Sequence, residues 1–438
     1  MNVVHLSWTD INGGAARAAW RVHRSLDLVG VDSAMFVGSR ESHGQDVTQY
    51  RPTSGLASRL RRKARRVALN RDRTKALRFR PAGFEPYWDD RTANGPEVGA
   101  VVSPADIYHV HQITGFVDSG ALPRLAARAP IVWTLHEMTP FTGGCPYAYE
   151  CVGFTRQCGA CPQLGSSDER DLSHAVWQRK LRTYSRIPPS RMHVVGASEW
   201  IASEARRCTL FSRFPVSVIP YGLDAEVFRP MRDARRLLDA FGVSPSAKIV
   251  LFVADHTNIP RKGFDLLDSA LGRLVSTSDV ALVSLGRGES PTLKSSLPHI
   301  HLGSLTEDRL IAAAYSMADI FVIPSLQDNL PNTVLEAMAC GTPVVGFRVG
   351  GIPDMVREEN GLLVPPGDTA SLACAIDALL ADGPRRERMG MAGRSIVERE
   401  YTLRLQAERY LDLYRSLLCP GAHEGGKPGI TRSAESHA

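Results

Sequence analysis

No stretch of the 438 residues reaches about eighteen consecutive apolar side chains, the length a membrane-spanning helix requires. The opening residues, MNVVHLSWTDINGG, lack a basic segment followed by an apolar one, so no export signal is read there and a cytoplasmic protein is expected. No internal repeat of fixed period is visible, which excludes a solenoid or propeller. Excess charge is scarce outside one segment. Residues 51–80 hold twelve Lys/Arg against Asp72 alone, a local +11, which leaves −5 for the rest of a chain of net charge +6. Eight cysteines in a reducing compartment do not make a disulfide framework, although four of them fall within 17 residues. What is present is an ordinary globular balance, 43% hydrophobic and 22% charged.

A chain of this length is too long for one core, so two domains are expected. NVVHLSW, SAMFVGS, DIYHVHQ, PIVWTLHE and MHVVGAS read as buried strands alternating with helical patterns. KIVLFVAD, VALVSLGRG, IHLGSL, DIFVIPS, TPVVGF and GLLVPPG restart the alternation. Such runs give parallel sheets covered on both faces. The reading is an α/β chain with a first doubly wound domain over 1–217 and a second over 218–395, joined within PVSVIPYGLDAEVFRP (215–230). One long helix is expected over 396–418 and a disordered, Gly- and Ser-rich tail over 420–438. Ligands of open parallel sheets bind beyond the carboxyl ends of the strands, so functional residues should gather there, in a cleft between the domains.

The stretch DNLPNTVLEAMACGTPVVGF (328–347) sets two carboxylates, Asp328 and Glu336, eight residues apart. Pro331 suits the start of a helix and Gly341 its end. The free N–H groups at Asn332 and Thr333 would attract phosphate. The plainer reading has Asp328 capping the helix and Glu336 on a solvated face. The spacing resembles the donor-site signature of the family 4 retaining GT-B glycosyltransferases: a carboxylate, seven residues, Glu, then A-M-A-x-G-x-P-V-V. NGGAARAA, VIPYGLDAEVF, RKGFDLL, VGGIPDMV and NGLLVPPGD resemble further segments of that family in the same order, over about residues 3–415.

The resemblance implies a GT-B fold, two Rossmann-like domains facing across a cleft. It also implies retaining transfer of a hexose from a UDP- or GDP-linked sugar to a glycan or lipid-linked acceptor. It gives Asp328 the hydroxyls of the transferred sugar, Glu336 the ribose, and the helix start at Asn332 and Thr333 the diphosphate. Lys262 matches the family's diphosphate lysine. Arg261 stands in for an arginine about six residues earlier, where His256 is nearest. His136, closing Thr134-Leu135-His136, lies near the anomeric carbon, and Gly13 and Gly14 form a turn that lets ligand approach. Two departures are the Asp at 328, where Glu is usual, and Pro331 in place of Gly. No Asp-x-Asp occurs, so charge on the diphosphate is expected to be met by Lys262, Arg261 and the helix end, with no catalytic divalent metal. The rival readings are an epimerase or hydrolase of nucleotide sugars on the same fold, and a zinc-containing, basic nucleic-acid-binding protein. Cleft carboxylates are of no use to the latter, so no nucleic-acid partner is expected.

Cys145, Cys151, Cys158 and Cys161 are spaced C-x5-C-x6-C-x2-C within a Cys-rich loop over 143–164. Four thiolates suit a structural zinc, with an iron–sulfur cluster, free thiols or a redox disulfide as alternatives. The basic segment 51–80 can form a helix with Leu56, Leu60, Ala64 and Val67 on one face, the pattern of an interfacial helix on an anionic membrane. A solvated helix and a nucleic-acid arm are its alternatives. An enzyme peripheral on the inner face of the cell membrane, meeting a lipid-linked acceptor, fits this segment.

Overall fold

A computed structural model describes residues 1–244, 246–275 and 279–419. The tail read as disordered lies outside the described residues. The apolar runs form two all-parallel sheets. The first takes β1 (Asn2–Thr9), β2 (Asp32–Ser39), β3 (Val47–Gln49), β4 (Ile107–Val110), β5 (Ile131–Leu135), β6 (Met192–Gly196) and β7 (Val216–Val218), in the order β3-β2-β1-β4-β5-β6-β7. The second takes β8 (Lys248–His256), β9 (Val280–Arg287), β10 (His299–His301), β11 (Ile320–Ile323), β12 (Val344–Phe347) and β13 (Gly361–Val364), in the order β10-β9-β8-β11-β12-β13. Every residue of β4, β5, β11 and β12 is buried, as expected for strands covered by helices on both faces. Strand order reverses between β1 and β4 in one sheet and between β8 and β11 in the other, so each has a crevice at the carboxyl ends of those strands.

The chain does not end in one long helix over 396–418. Two helices, Gly383–Glu400 and Leu403–Leu418, meet at Tyr401–Thr402. The break is built locally. The Thr402 side chain accepts the Leu405 N–H as an N-cap, and Leu223 pairs through its backbone with Tyr401 and Leu403. The last helix then lies against the Gly14–Leu26 helix of the first domain. There Tyr410 and Tyr414 are fully buried with Val22, Leu26, Ile107 and Val132.

The basic segment forms the Leu56–Ala76 helix, which buries no residue. Its half-buried positions, Ser58, Arg62, Arg65, Leu69, Asp72 and Ala76, recur at three- and four-residue steps and mark the side laid on the domain. Arg65 pairs with Glu97 at 2.7 Å and Asp72 with Arg91 at 3.1 Å. The apolar stripe Leu56, Leu60 and Val67 therefore points outward, 75%, 58% and 60% exposed.

Tyr414→Ala should cost about 3–5 kcal/mol, as large-to-small changes of buried aromatics do. It removes a buried ring and the hydroxyl that shares a 2.6 Å hydrogen bond with His109. Urea unfolding checks this, and a loss below ~1 kcal/mol would mean that the last helix is not docked on the first domain.

Candidate active site

Asp328 follows β11 through the turn Pro324–Gln327 and is buried, as is Glu336. The plainer reading of both acids therefore does not apply: Asp328 does not cap the Asn332–Ala339 helix, which has no side-chain cap, and Glu336 is not on a solvated face. The turn is tightly drawn. Gly350 takes φ 54°, and a Cβ there would run into the Asp328 carbonyl oxygen.

A buried carboxylate needs compensation. Lys262 donates to Asp328 Oδ2 at 2.6 Å, Arg261 lies 3.5 Å from the same oxygen, and Ser325 Oγ donates at 3.3 Å. Burial alone would raise the Asp328 pKa, but Lys262 and Arg261 outweigh it and hold the carboxyl below its ordinary value. Burial pulls Lys262 down while Asp328 opposes it. Arg261 and Lys262 close the short turn Pro260–Lys262 after β8. Gly263 then adopts φ 74°, where a Cβ would meet the Pro324 carbonyl, so this turn and that of Asp328 pack backbone to backbone.

Glu336 and Asn332 share one face of their helix and meet the first domain. Arg21 donates to Glu336 Oε1 at 2.7 Å and to Asn332 Oδ1 at 3.1 Å, and Asn332 Nδ2 donates to the Gly14 carbonyl at 3.1 Å. Tyr315 donates to Glu336 Oε2 at 3.2 Å. Thr333 is half-buried beside Asn332. Gly13 takes φ 90° with open space where a Cβ would stand, and Gly14 begins the helix that carries Arg21. Arg21 was not singled out from the sequence. Its signal was the spacing Gly14, Arg17, Arg21, which places all three on the face that opens at the glycine turn. Arg17 likewise crosses to Asp308 at 3.2 Å.

His136 directly follows β5 as a buried, neutral imidazole, its pKa pushed down to about 3 by burial. Its Nδ1 shares a 2.6 Å hydrogen bond with Tyr221, and its Nε2 shares one of 3.1 Å with His111, whose other nitrogen meets His5 at 2.9 Å. His109, beside them, bonds Tyr414 and Thr134. His5, His109 and His111 have ligating atoms within 4.8 Å of one another. Every ring nitrogen among them except His5 Nε2 already has a partner, so the group is a hydrogen-bonded column rather than a metal centre. The carbonyls of Leu135 and His136 accept from Asn329 Nδ2 at 3.0 and 3.3 Å, which ties this strand end to the residue after Asp328. The structure thus brings Asp328, Lys262, Arg261 and the His136 backbone to one side of the cleft, and Glu336, Asn332 and Gly14 to another.

Arg261 is buried and crowded. Its guanidinium lies 4.0 Å from the Tyr147 ring centroid, donates to the Gln327 carbonyl at 2.6 Å and pairs with Glu85. Glu85 also accepts from Tyr149 at 3.0 Å. Sequence reading could not find Glu85, which sits in an aperiodic stretch. Cys145, Cys151, Cys158 and Cys161 are free thiols that line a different cavity, at the base of the loop bearing both tyrosines.

A family profile described as "Glycosyl transferases group 1" matches residues 247–382. The chain is 30% identical over 342 residues to the alpha-maltose-1-phosphate synthase of Mycobacterium tuberculosis, an alignment covering 72% of this chain and 80% of that protein. Sucrose-phosphate synthase from Thermosynechococcus elongatus superposes with TM-score 0.66 at 20% identity, over 95% of this chain and 99% of that one. Anabaena HepE, solved with UDP and glucose, superposes with TM-score 0.65 at 16% identity, over 95% and 100%. Both solved structures share the fold, which is GT-B: two Rossmann-like domains facing across a cleft.

The histidine column makes a pH prediction. Burial holds His5, His109 and His111 well below 6.5 and His136 at about 3. Each stays neutral in the fold but takes a proton near pH 6.5 when unfolded, so below that pH the unfolded chain binds more protons. Stability should fall as pH falls from 6.5 towards 5, by up to roughly 1.4 kcal/mol per pH unit for each histidine. Melting temperatures flat across that window would show that these imidazoles are not held neutral.

Proposed function

The chain belongs to the group 1 glycosyl transferases, and from that membership we propose that it transfers a hexose, with retention of the anomeric configuration, from a UDP- or GDP-linked sugar to a glycan or lipid-linked acceptor. The reading is carried by the buried constellation of Asp328 against Lys262 and Arg261 at the carboxyl ends of β8 and β11. HepE, which shares the fold, was solved with UDP and glucose, and this supports a nucleotide-sugar donor. Membership of the family leaves the nucleic-acid reading without support and does not favour the epimerase or hydrolase reading.

In the proposed reaction Asp328 accepts hydrogen bonds from hydroxyls of the transferred sugar. Lys262 and Arg261 face the departing diphosphate, where fixed positive charge lowers the barrier most. No divalent ion is required for that step. The amides of Asn332 and Thr333 take a phosphate oxygen. Glu336 takes the ribose hydroxyls in exchange for Arg21, so donor binding loosens the contact between the domains there. The bond from the anomeric carbon to the diphosphate oxygen breaks, and the bond to the acceptor oxygen forms on the same face. The acceptor's proton passes to the departing diphosphate. His136, neutral and bonded at both nitrogens, orients this end of the cleft and steadies charge near the anomeric carbon rather than attacking it.

The acceptor end is proposed to meet an anionic membrane. The Leu56–Ala76 helix faces outward with Leu56, Leu60 and Val67, interleaved with Lys63 and Arg71 and flanked by Arg59, Arg66 and Arg73. Apolar side chains rimmed by cations match the boundary of an anionic bilayer. Arg80, just past this helix, reaches the carbonyls of Gln163 and Glu85, so the helix is tied to the segment that pairs with Arg261. No described helix is long and apolar enough to cross a membrane.

Substitution, product analysis and vesicle binding test this reading. Glu336→Ala should lower kcat/KM for the donor by at least ~10²-fold, about 2.7 kcal/mol. His136→Ala should lower kcat by a similar factor with nucleotide affinity nearly intact. EDTA should leave turnover in place, and NMR of the product's anomeric proton should show retention; an inverted product overturns the mechanism. For the membrane, vesicles with anionic lipid should bind the protein and release it in high salt. Replacing Arg59, Arg66 and Arg73 with Gln should weaken binding strongly, and equal binding to neutral vesicles would rule the anchor out.

A further inference from the structure

Cys145, Cys151, Cys158 and Cys161 all line one small cavity, closed by Tyr87 and Phe154. None is paired in a disulfide. The Gly153 N–H donates to Cys151 Sγ at 3.4 Å. Such an N–H group favours a thiolate over a thiol, since it stabilises negative charge on sulfur.

The backbone of the loop supplies an independent observation. Among the described residues, the non-glycine positions with positive φ are Tyr149 at 52° and Ala160 at 43°. Both lie in this loop, Ala160 inside the final Cys-x-x-Cys and Tyr149 between the first two cysteines. Side-chain-bearing residues hold this conformation at a cost of order 1–3 kcal/mol only where the surroundings impose it. Beneath the loop, buried Lys180 donates to the carbonyls of Thr139 and Thr142, at 2.5 and 2.9 Å.

We propose that these four cysteines bind one zinc ion, and that the ion fixes Tyr147 and Tyr149 in the cleft against the second domain. Tyr147 lies face-on to Arg261, and Gln163, two residues past Cys161, donates to the Tyr147 carbonyl at 2.6 Å. The Tyr149 N–H donates to Gln327 at 3.0 Å, and its hydroxyl donates to Glu85, the partner of Arg261. The metal is structural, since four thiolates leave no open position for chemistry. Binding exchanges sulfur-bound protons for the ion and changes no oxidation state. No three of the sulfurs lie within 4.8 Å of one another, so zinc at about 2.3 Å from each draws the loop inward.

Elemental analysis of the purified full chain should find about one zinc per molecule. A thiol-reactive mercurial with a chromogenic chelator should release it stoichiometrically. Cys158→Ser with Cys161→Ser should abolish the zinc, while Cys374→Ser, at an exposed cysteine elsewhere, should keep it. Hydrogen exchange of residues 145–164 should accelerate at least tenfold on metal removal from the wild-type chain, a readout that does not depend on the variants folding. Tyr149→Phe should retain the zinc, which separates the ion from the contact it supports. Iron with visible absorption, a mass two daltons low from a disulfide, or metal-free protein with the loop equally protected would each overturn the proposal. Loss of activity plays no part in the test, so it stands or falls apart from the donor assignment.

Discussion

The buried carboxylate of Asp328 is the constraint around which the cleft is organised. An ionised acid taken out of water is tolerated only with opposite charge close by and hydrogen bonds on its remaining lone pairs. Lys262, Arg261, Ser325 and the Asn329 N–H meet that demand. Two of these come from a different strand connection, so the turns after β8 and β11 must sit together. The glycines at 263 and 350, which alone allow so close an approach, follow from the same requirement. Breaking one partner would leave a buried charge, a far larger cost than any exposed ion pair on this surface represents.

The two domains are held by a second set of contacts with the same logic. Arg21 against Glu336 and Asn332, and Asn329 against the carbonyls of Leu135 and His136, join the first domain to the helix and turn that bear the acids. Arg21 and Asn329 thus hold the cleft closed across the two domains.

Behind the cleft, the column His5, His111, His136 and Tyr221 runs through the first domain, with His109 linking it to Tyr414 of the last helix. A helix far along the chain thus sits two hydrogen-bonded side chains from the strand ends of the first sheet. It reaches them because the chain turns at Tyr401–Thr402 and crosses back.

The parallel strands and the carboxylate pair were legible in the sequence, because strand burial is written in apolar runs and the acids in a fixed eight-residue spacing at one short helix. The cysteine loop and the basic helix were legible for the same reason, as local patterns. The partners of those residues were not. Arg21 lies 315 residues from Glu336 and Glu85 lies 176 from Arg261, and no local period links either pair. Asp328 could be read as an acid at a helix mouth, but not as a charge clamped by Lys262. The side of the basic helix that packs was also hidden, since a polar seam of Arg62, Arg65 and Asp72 lies against the domain and the apolar stripe faces outward. The break at Thr402 looked like continuous helix because propensity acts over a few residues, whereas the turn is imposed by Leu223, far away in the sequence. Local chemistry set which elements form. Only the tertiary structure, through the compensation of buried charge, decided which of their side chains meet.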